Sequence, residues 1–375
     1  MRQGSPFRGV FVSPARRAGD TNGSLSGWDN PRCAPGLAKG GRMEYDRENE
    51  KSWEVVGVFQ CLARGTGPAA GLPAWAWVFG AALVLAAGWL WLIGPKMRKK
   101  PDFREFRRFD YAHRGLHNLE NGVPENSLRA LALAELAGYG MEFDVQLTKD
   151  KQVVVHHDHS IQRSCGADRN ISEMTYEELR QYRLFGTEEP VPLLREVLAA
   201  LDGRTPLIVE LKDYNDPAEL CALTMKELEN CRGLYCVESF DPRIVRWFRQ
   251  NRPELVRGQL MCRFRKGDGG MTAWQALCAR NLLTNWYTRP HFEAYDIHTR
   301  DIPAMWAVRN LLGMQEVSWT IRSLEEYERA KALGNLCIFE HILPAGASGE
   351  KRGSYQELLD AAVVALSKRT AQGKR

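Results

Sequence analysis

Hydrophobic residues after position 109 recur in short runs that are separated by longer segments with helical spacing. The short runs predict nine strands. The segments between them carry helix-start signals, including the capping boxes Thr175-x-x-Glu178 and Ser323-x-x-Glu326. The predicted strands are Tyr111–His113, Met141–Val145, Val153–His156, Leu207–Glu210, Tyr235–Ser239, Val256–Leu260, Glu293–Tyr295, Val317–Trp319 and Cys337–Phe339.

The second and third of these strands are separated only by a short turn at Thr148–Gln152. Parallel neighbours need a crossover of a dozen residues or more, so this pair is predicted to be an antiparallel hairpin. The eight remaining strands alternate with helices, which predicts a (β/α)8 barrel of the TIM type. A doubly wound open sheet is the alternative, but no Gly-rich phosphate loop follows the first strand to support it.

Residues 72–94 form a different pattern, LPAWAWVFGAALVLAAGWLWLIG, which contains no charged residue. A stretch of this length can cross a bilayer as a helix, and its tryptophans lie toward both ends. A cleaved signal peptide is the main rival, but the segment is long, far from Met1 and followed by basic residues. A single transmembrane helix is therefore predicted.

Basic residues follow this span directly, at Lys96, Arg98, Lys99 and Lys100, whereas Arg64 is the only basic residue in the twenty before it. The positive-inside rule then predicts a single-pass protein of the cell membrane with its C-terminal domain in the cytoplasm. Four domains are predicted: a disordered tail at 1–71, the span at 72–94, a basic linker at 95–108 and the barrel at 109–375. Met43 is a second candidate start residue.

Net charge and cysteine content limit the partners and the cellular compartment that the sequence predicts. The net charge of +5 on 375 residues is small, and no nucleic-acid-binding motif is present, which excludes nucleic acid as the predicted partner. The nine cysteines form no CxxC pair and have no framework spacing, which favours free thiols in a reducing compartment.

Polar residues cluster where the barrel strands end, which is where TIM-barrel active sites lie. Glu142 and Asp144 alternate with apolar residues and must share the lumen face, and Glu210 joins them from a later strand. Three carboxylates in one barrel mouth would repel unless a hard divalent cation, Ca²⁺ or Mg²⁺, lay among them. Arg114 and Lys212 then indicate an anionic substrate, of which phosphate is the commonest.

His113 and a histidine near the end of the third strand, His157, have side chains that act as general acid and base near neutral pH. Alone, His113 would be interpreted as a core histidine, and Glu210 with Lys212 as a structural ion pair. Trp319 is interpreted as lying near the substrate, and a purely structural role in the core is the alternative.

Five motifs in order resemble those of the glycerophosphodiester phosphodiesterase family, over residues 109–345. They are His113-Arg114-Gly115, Pro124-Glu125-Asn126-Ser127, Glu142-x-Asp144, His157-Asp158 with Arg163, and Glu210-x-Lys212. Trp319-Thr320 is similar to a late family motif. The longer similarity is closest to membrane-anchored members associated with Gram-positive bacteria.

The resemblance implies a distorted TIM barrel that hydrolyses glycerophosphodiesters to glycerol 3-phosphate and an alcohol. It assigns Glu142, Asp144 and Glu210 to a divalent metal, Ca²⁺ or Mg²⁺. It assigns His113 and His157 to acid–base catalysis, and Arg114 and Lys212 to the phosphate. Water and the glycerol 2-hydroxyl remain alternative nucleophiles.

The chain departs from the family where the last strand runs into Phe339-Glu340-His341 instead of the usual Thr-Asp. Trp319 is predicted to contact the substrate. Two alternative functions remain open at this stage. One is a lysophospholipase D-like or phospholipase C-like activity on membrane lysolipids. The other is a catalytically silent, membrane-tethered binding module.

Overall fold

A computed structural model describes residues 73–98, 100–345 and 354–360, and all nine predicted strands form. The predicted tail at 1–71, Met43 and Lys99 lie outside the described residues. The strands are β1 Tyr111–Ala112, β2 Gly140–Leu147, β3 Val153–Val155, β4 Leu207–Leu211, β5 Tyr235–Ser239, β6 Arg257–Met261, β7 Phe292–Asp296, β8 Gln315–Ile321 and β9 Leu336–Phe339.

Eight strands close into a parallel barrel. Their order is β1-β9-β8-β7-β6-β5-β4-β2, and a parallel pairing of β1 with β2 completes the ring. Strand β3 lies beyond the ring and pairs antiparallel with β2, with Val145 opposite Val155. Both the barrel and the hairpin predicted from the sequence are therefore confirmed.

Helices connect the barrel strands and begin at the predicted capping residues. Thr175 and Glu178 form a reciprocal capping box, and Asp241 caps a helix whose first residue is Pro242. The α-helices are α1 Ala74–Ile93, α2 Leu128–Leu136, α3 Gln162–Cys165, α4 Tyr176–Leu179, α5 Leu194–Ala200, α6 Pro217–Leu228, α7 Pro242–Asn251, α8 Ala273–Arg280, α9 Asn285–Thr288, α10 Pro303–Asn310 and α11 Leu324–Ala332.

Short 3₁₀-helices occupy several loops, and a further helical segment at 355–360 packs beside the barrel, where the Tyr355 hydroxyl donates to the Leu116 carbonyl at 2.9 Å. The seven cysteines of the described residues are all free. The 3₁₀-helices are Phe106–Arg108, Leu119–Asn121, Ile171–Glu173, Leu184–Gly186, Asp268–Gly270 and Ile297–Thr299.

The amino-terminal end of the barrel lumen is closed by aromatic side chains. Two glycines make room for them: a Cβ at Gly140 would lie 2.6 Å from the Tyr111 ring, and one at Gly258 would lie 2.0 Å from the Phe292 ring. Phe106, from the segment predicted as a linker, is buried in the same cluster. Alternation along the strands then leaves the carboxyl-terminal half of the lumen for polar side chains.

Helix α1 is long and apolar enough to cross a membrane, with a mean hydropathy of 2.0 in its most apolar stretch. Contacts divide the chain into two units at Ala86–Ala87, within this helix. In the unit that contains the barrel, Asn285 Nδ2 donates to the Ile93 carbonyl at 3.0 Å and Arg289 Nη1 donates to the Gly94 carbonyl at 2.8 Å. The chain therefore joins the barrel near the amino-terminal end of β7.

Candidate active site

Three buried carboxylates meet at the carboxyl-terminal end of the lumen. Strand β2 carries Glu142 and Asp144, and the parallel register with β4 sets Glu210 beside Asp144. Their side chains alternate with Met141, which faces the outer core. Each carboxylate offers one oxygen, and these atoms lie within 4.8 Å of one another.

The pKa values of the three carboxyl groups are shifted in different directions. Burial, together with the charges of Asp144 and Glu210, raises the pKa of Glu142 well above its usual value. Burial also raises the pKa of Glu210, to about 7, although Lys212 opposes the shift. Burial would raise the pKa of Asp144 too, but the charges of Lys212, His157 and Arg114 hold it well below its ordinary value.

The residues of the triad fit a hard divalent cation. Their donor set is all oxygen, and within the described residues Glu142 Oε1 is buried without a hydrogen-bond partner. A fourth lumen carboxylate, Glu238 on β5, also has a buried oxygen without a partner, and burial raises its pKa well above its usual value. Such a group of unsatisfied acids is costly unless a proton or a cation compensates it.

The loop after β1 folds back over the triad. Arg114 has a φ of 55°, and Gly115 has a φ of 79° with Ala130 so close that a Cβ would lie 2.7 Å from its carbonyl carbon. This geometry aims the Arg114 backbone N–H at Glu142 Oε2, at 3.1 Å. The HRG motif thus includes its glycine because only glycine fits there.

The Arg114 side chain is buried among acids. Its Nη1 donates to Glu125 Oε1 at 2.7 Å, and its Nε lies 3.4 Å from Asp144 Oδ2. Asn126, which follows Glu125, donates to the same Asp144 oxygen at 2.8 Å. The first two family motifs therefore form one network around Asp144, a role that the sequence alone did not assign to Asn126.

Lys212 lies within the triad. Its Nζ is 2.7 Å from Asp144 Oδ1 and 2.5 Å from Glu210 Oε1. The predicted phosphate contact of Lys212 stays a prediction, because in this structure its ammonium pairs with both carboxylates.

His113 is held by a residue that sequence motifs missed. Its Nδ1 lies 2.6 Å from Glu340 Oε2, and its Nε2 faces the triad at 3.9 Å from Glu142 Oε2. Glu340 also pairs with Arg322 at 2.6 Å. Burial and the Arg114 charge lower the pKa of His113, whereas Glu340 opposes this shift. The departure from the family ending at Glu340 was the available signal.

His157 is held in the same way. Its Nδ1 lies 2.6 Å from Asp158 Oδ1, and Arg163 Nε donates to the other oxygen of that carboxylate at 2.6 Å. Arg163 also bonds Glu125, which links this loop to Arg114. Burial, Lys212 and Arg114 lower the pKa of His157 to about 3, so its imidazole is neutral at physiological pH. The two catalytic candidates thus share one arrangement, a carboxylate on Nδ1.

The remaining candidates divide into lining and structural residues. Trp319 is half-buried beside Phe240, with ring centroids 5.7 Å apart, and its predicted substrate contact stays a prediction. His156 is buried between the Asp158 carbonyl and the Ser164 hydroxyl, which is a structural position.

Known proteins with similar sequences and structures are phosphodiesterases. A glycerophosphodiester phosphodiesterase of Caldanaerobacter subterraneus is 28% identical over 58% of this chain and 87% of its own length. A lysophospholipase D of Rattus norvegicus is 36% identical over 24% of this chain and 33% of its own length. The structure of a phosphodiesterase from Oleispira antarctica, in complex with the product sn-glycerol-3-phosphate, superposes with a TM-score of 0.51. It is 21% identical over 67% of this chain and 96% of its own length, and it supports the barrel fold.

Residues 113–341 match the family described as glycerophosphoryl diester phosphodiesterase. The match starts at His113, includes Trp319, and so spans every residue predicted for the site. It confirms the predicted enzyme class, a phosphoric diester hydrolase. Because the match covers more than half of the sequence, the chain belongs to the glycerophosphoryl diester phosphodiesterase family.

Proposed function

We propose that this protein hydrolyses glycerophosphodiesters to glycerol 3-phosphate and an alcohol, with His113 and His157 as the acid–base pair. The observation that carries the proposal is the matched pair of histidines beside a buried carboxylate triad. Each histidine has a carboxylate 2.6 Å from its Nδ1. A carboxylate in that position fixes the tautomer and leaves Nε2 to exchange protons with the reactants.

The two histidines have complementary tasks in such a reaction. One accepts the proton of the attacking hydroxyl or water, and the other donates a proton to the oxygen of the leaving alcohol. His113 Nε2 faces Glu142 at 3.9 Å, while His157 approaches from the β3 return loop. Two separate elements therefore supply the acid and the base, and a phosphodiester between them would meet one on each side.

A divalent metal fits the proposal, held by Glu142, Asp144 and Glu210. When bound, it would neutralise the charge of the phosphate oxygens. Arg114 would bind another phosphate oxygen through its guanidinium, and Lys212 would do so from the other side of Asp144. Their positive charges, buried beside the triad, favour an anionic substrate over a neutral one.

We also propose that α1 anchors the enzyme as a single membrane span, with the barrel on the cytoplasmic side. The support is the length and apolarity of α1 and the excess of basic residues directly after it. The anchor would keep the barrel near lipid-derived phosphodiesters.

A lysophospholipase D-like activity is a second candidate. The short stretch of 36% identity to the rat lysophospholipase D favours it, although that stretch covers 24% of this chain. Glycerophosphocholine and lysophosphatidylcholine differ only in an acyl chain, and hydrolysis of either releases choline. Comparing the two rates of choline release therefore separates the two candidates.

A head-group panel with purified full-length enzyme in detergent tests the proposal. Choline release from glycerophosphocholine should require added Ca²⁺ or Mg²⁺ and should stop with chelator. Faster release from lysophosphatidylcholine would favour the second candidate. No turnover of any phosphodiester with either cation would refute both.

A matched pair of variants tests the metal ligands. Glu142→Gln should abolish activation by added cation, because a carboxyl group that can lose its proton to bind the cation is replaced by an amide that cannot become charged. Glu293→Gln is the control: Glu293 is equally buried, and burial raises its pKa well above its usual value, but it lies on β7 and is not part of the triad. Unchanged cation activation in Glu142→Gln would disprove the ligand assignment.

A further inference from the structure

A basic cavity of about 560 Å³ lies where the end of α1 meets the barrel, far along the strands from the carboxylate triad. One side is apolar and includes Leu90 and Trp91 from the last turns of α1. The other side is basic, with Arg249 from α7, Arg257 from the start of β6 and Arg289 from the loop before β7. Amphipathic walls of this kind suit a ligand that has a charged head and an apolar tail.

Arg257 is the residue that points to a ligand. It is 1% exposed, and its Nη2 donates to the Arg289 carbonyl at 2.8 Å. Its Nε and Nη1 are buried and find no hydrogen-bond partner within the described residues. Burial and the charge of Arg249 lower the pKa of Arg257 to about 10. A buried guanidinium with unused donors is costly, and an anion from outside would remove this cost.

The neighbouring arginines are fixed around Arg257, and they have no acidic partner in the part of the chain that the structure describes. Arg249 Nη1 donates to the Tyr287 carbonyl at 2.9 Å, and Arg289 Nη1 donates to the carbonyls of Trp91 and Gly94. Burial lowers the pKa values of Arg249 and Arg289, and no carboxylate opposes either shift. Three guanidinium groups thus repel one another across one cavity, which is an arrangement that attracts a phosphate.

We propose that this cavity binds the phosphate head group of an anionic phospholipid, with the acyl chains along the last turns of α1. Arg257 and Arg249 would donate to the phosphate oxygens, and Leu90 and Trp91 would contact the lipid's apolar part. The apolar wall and its position at the end of a candidate membrane span favour a lipid over free phosphate. The proposal depends on α1 being the anchor and not on the phosphodiesterase reaction.

Lipid-dependent thermal stability of the full-length protein in detergent tests this site. Phosphatidylglycerol should raise the Tm of the native protein, because it binds only the folded state, and phosphatidylcholine should not. Arg257→Gln should weaken the apparent lipid affinity at least about tenfold, and Arg257→Lys should recover part of it. Arg252→Gln is the matched control, since Arg252 ends the same helix as Arg249 but pairs with Glu229 at 3.4 Å, outside the cavity.

Each alternative outcome contradicts the proposal. An equal Tm increase with phosphatidylcholine would show that the head-group charge does not matter. An unchanged response in Arg257→Gln would show that the anionic head group does not bind in this cavity. An equal increase with inorganic phosphate alone would identify a soluble-phosphate site instead of a lipid site. If Arg257→Gln does not fold, Arg249→Gln carries the same test, and the readout involves no substrate turnover.

Discussion

Two buried arginines near opposite ends of the barrel have opposite electrostatic surroundings. Arg114, at the mouth, lies 2.7 Å from Glu125 and 3.4 Å from Asp144, and these acids outweigh burial and raise its pKa. Arg257, near the end of α1, is 1% exposed and has no acidic partner among the described residues, and burial together with the charge of Arg249 lowers its pKa to about 10.

The difference in charge indicates how strongly each region should bind an anion. The mouth already balances its positive groups with its own carboxylates, so a substrate phosphate must compete with them and can leave after each turnover. The cavity at the end of α1 has no such balance among the described residues, so an anion that entered it would not have to displace a carboxylate. We therefore expect weak, exchanging binding at the mouth and longer-lived binding beside α1.

Histidine replacement should give the largest contrast between the two ends. His113→Ala and His157→Ala should each lower kcat by roughly 10²–10⁴-fold, because each removes a proton donor or acceptor. The control is His291→Asn, near the end of α1, where burial lowers the pKa of the histidine to about 3, as for His157. His291 Nδ1 accepts the Arg257 backbone N–H at 3.2 Å, so its role is structural.

Steady-state kinetics with glycerophosphocholine measures this contrast, with circular dichroism to verify folding. A rate near the native value in either His113→Ala or His157→Ala would contradict the acid–base assignment. A large loss of kcat in folded His291→Asn would show that the two ends of the barrel are not independent.

Replacing an arginine should lower the folding stability more at the mouth of the barrel than at the end of α1. Arg114→Gln should lower the free energy of unfolding by about 1–3 kcal/mol, because Glu125 and Asp144 lose one charged partner and keep Arg163 and Lys212. Arg257→Gln should change it by less than about 1 kcal/mol in lipid-free detergent, since it leaves no buried acid unpaired. Denaturant titration of both variants measures the difference, and equal losses would refute the comparison.

The metal affinity of the mouth should rise with pH. The pKa of Glu210 is raised to about 7, so below that pH a proton occupies a carboxylate that the cation needs. Raising the pH from 6 to 7 should strengthen Ca²⁺ or Mg²⁺ binding by up to about tenfold per displaced proton. Isothermal titration calorimetry in two buffers counts the released protons, and a flat affinity would contradict a ligand role for Glu210.

The barrel could be predicted because the patterns that indicate it lie within short stretches of sequence. The alternation of Glu142 and Asp144 with Met141 and Phe143 predicted which face enters the lumen, and the short turn after Leu147 predicted the hairpin. Both depend only on strand geometry and crossover length.

The partners of these residues were less predictable because they join distant parts of the chain. Glu340 bonds His113 across 227 positions, and although the unusual ending at Glu340 marked that residue, it did not identify His113 as its partner. Arg257 begins an ordinary strand, and its burial depends on α7 and the end of α1, which meet only in the folded chain. Tertiary proximity, not local pattern, decides such contacts.

The aromatic side chains that close the amino-terminal end of the lumen bear on how substrate and product move. Tyr111 and Phe292 pack against Gly140 and Gly258 in a buried cluster at the amino-terminal end of the lumen, so we expect this end of the barrel to be closed to substrate. Substrate arrival and product departure must use the same opening. If glycerol 3-phosphate is the product, as proposed, it would occupy the opening that the next substrate needs, so we expect it to inhibit the enzyme competitively.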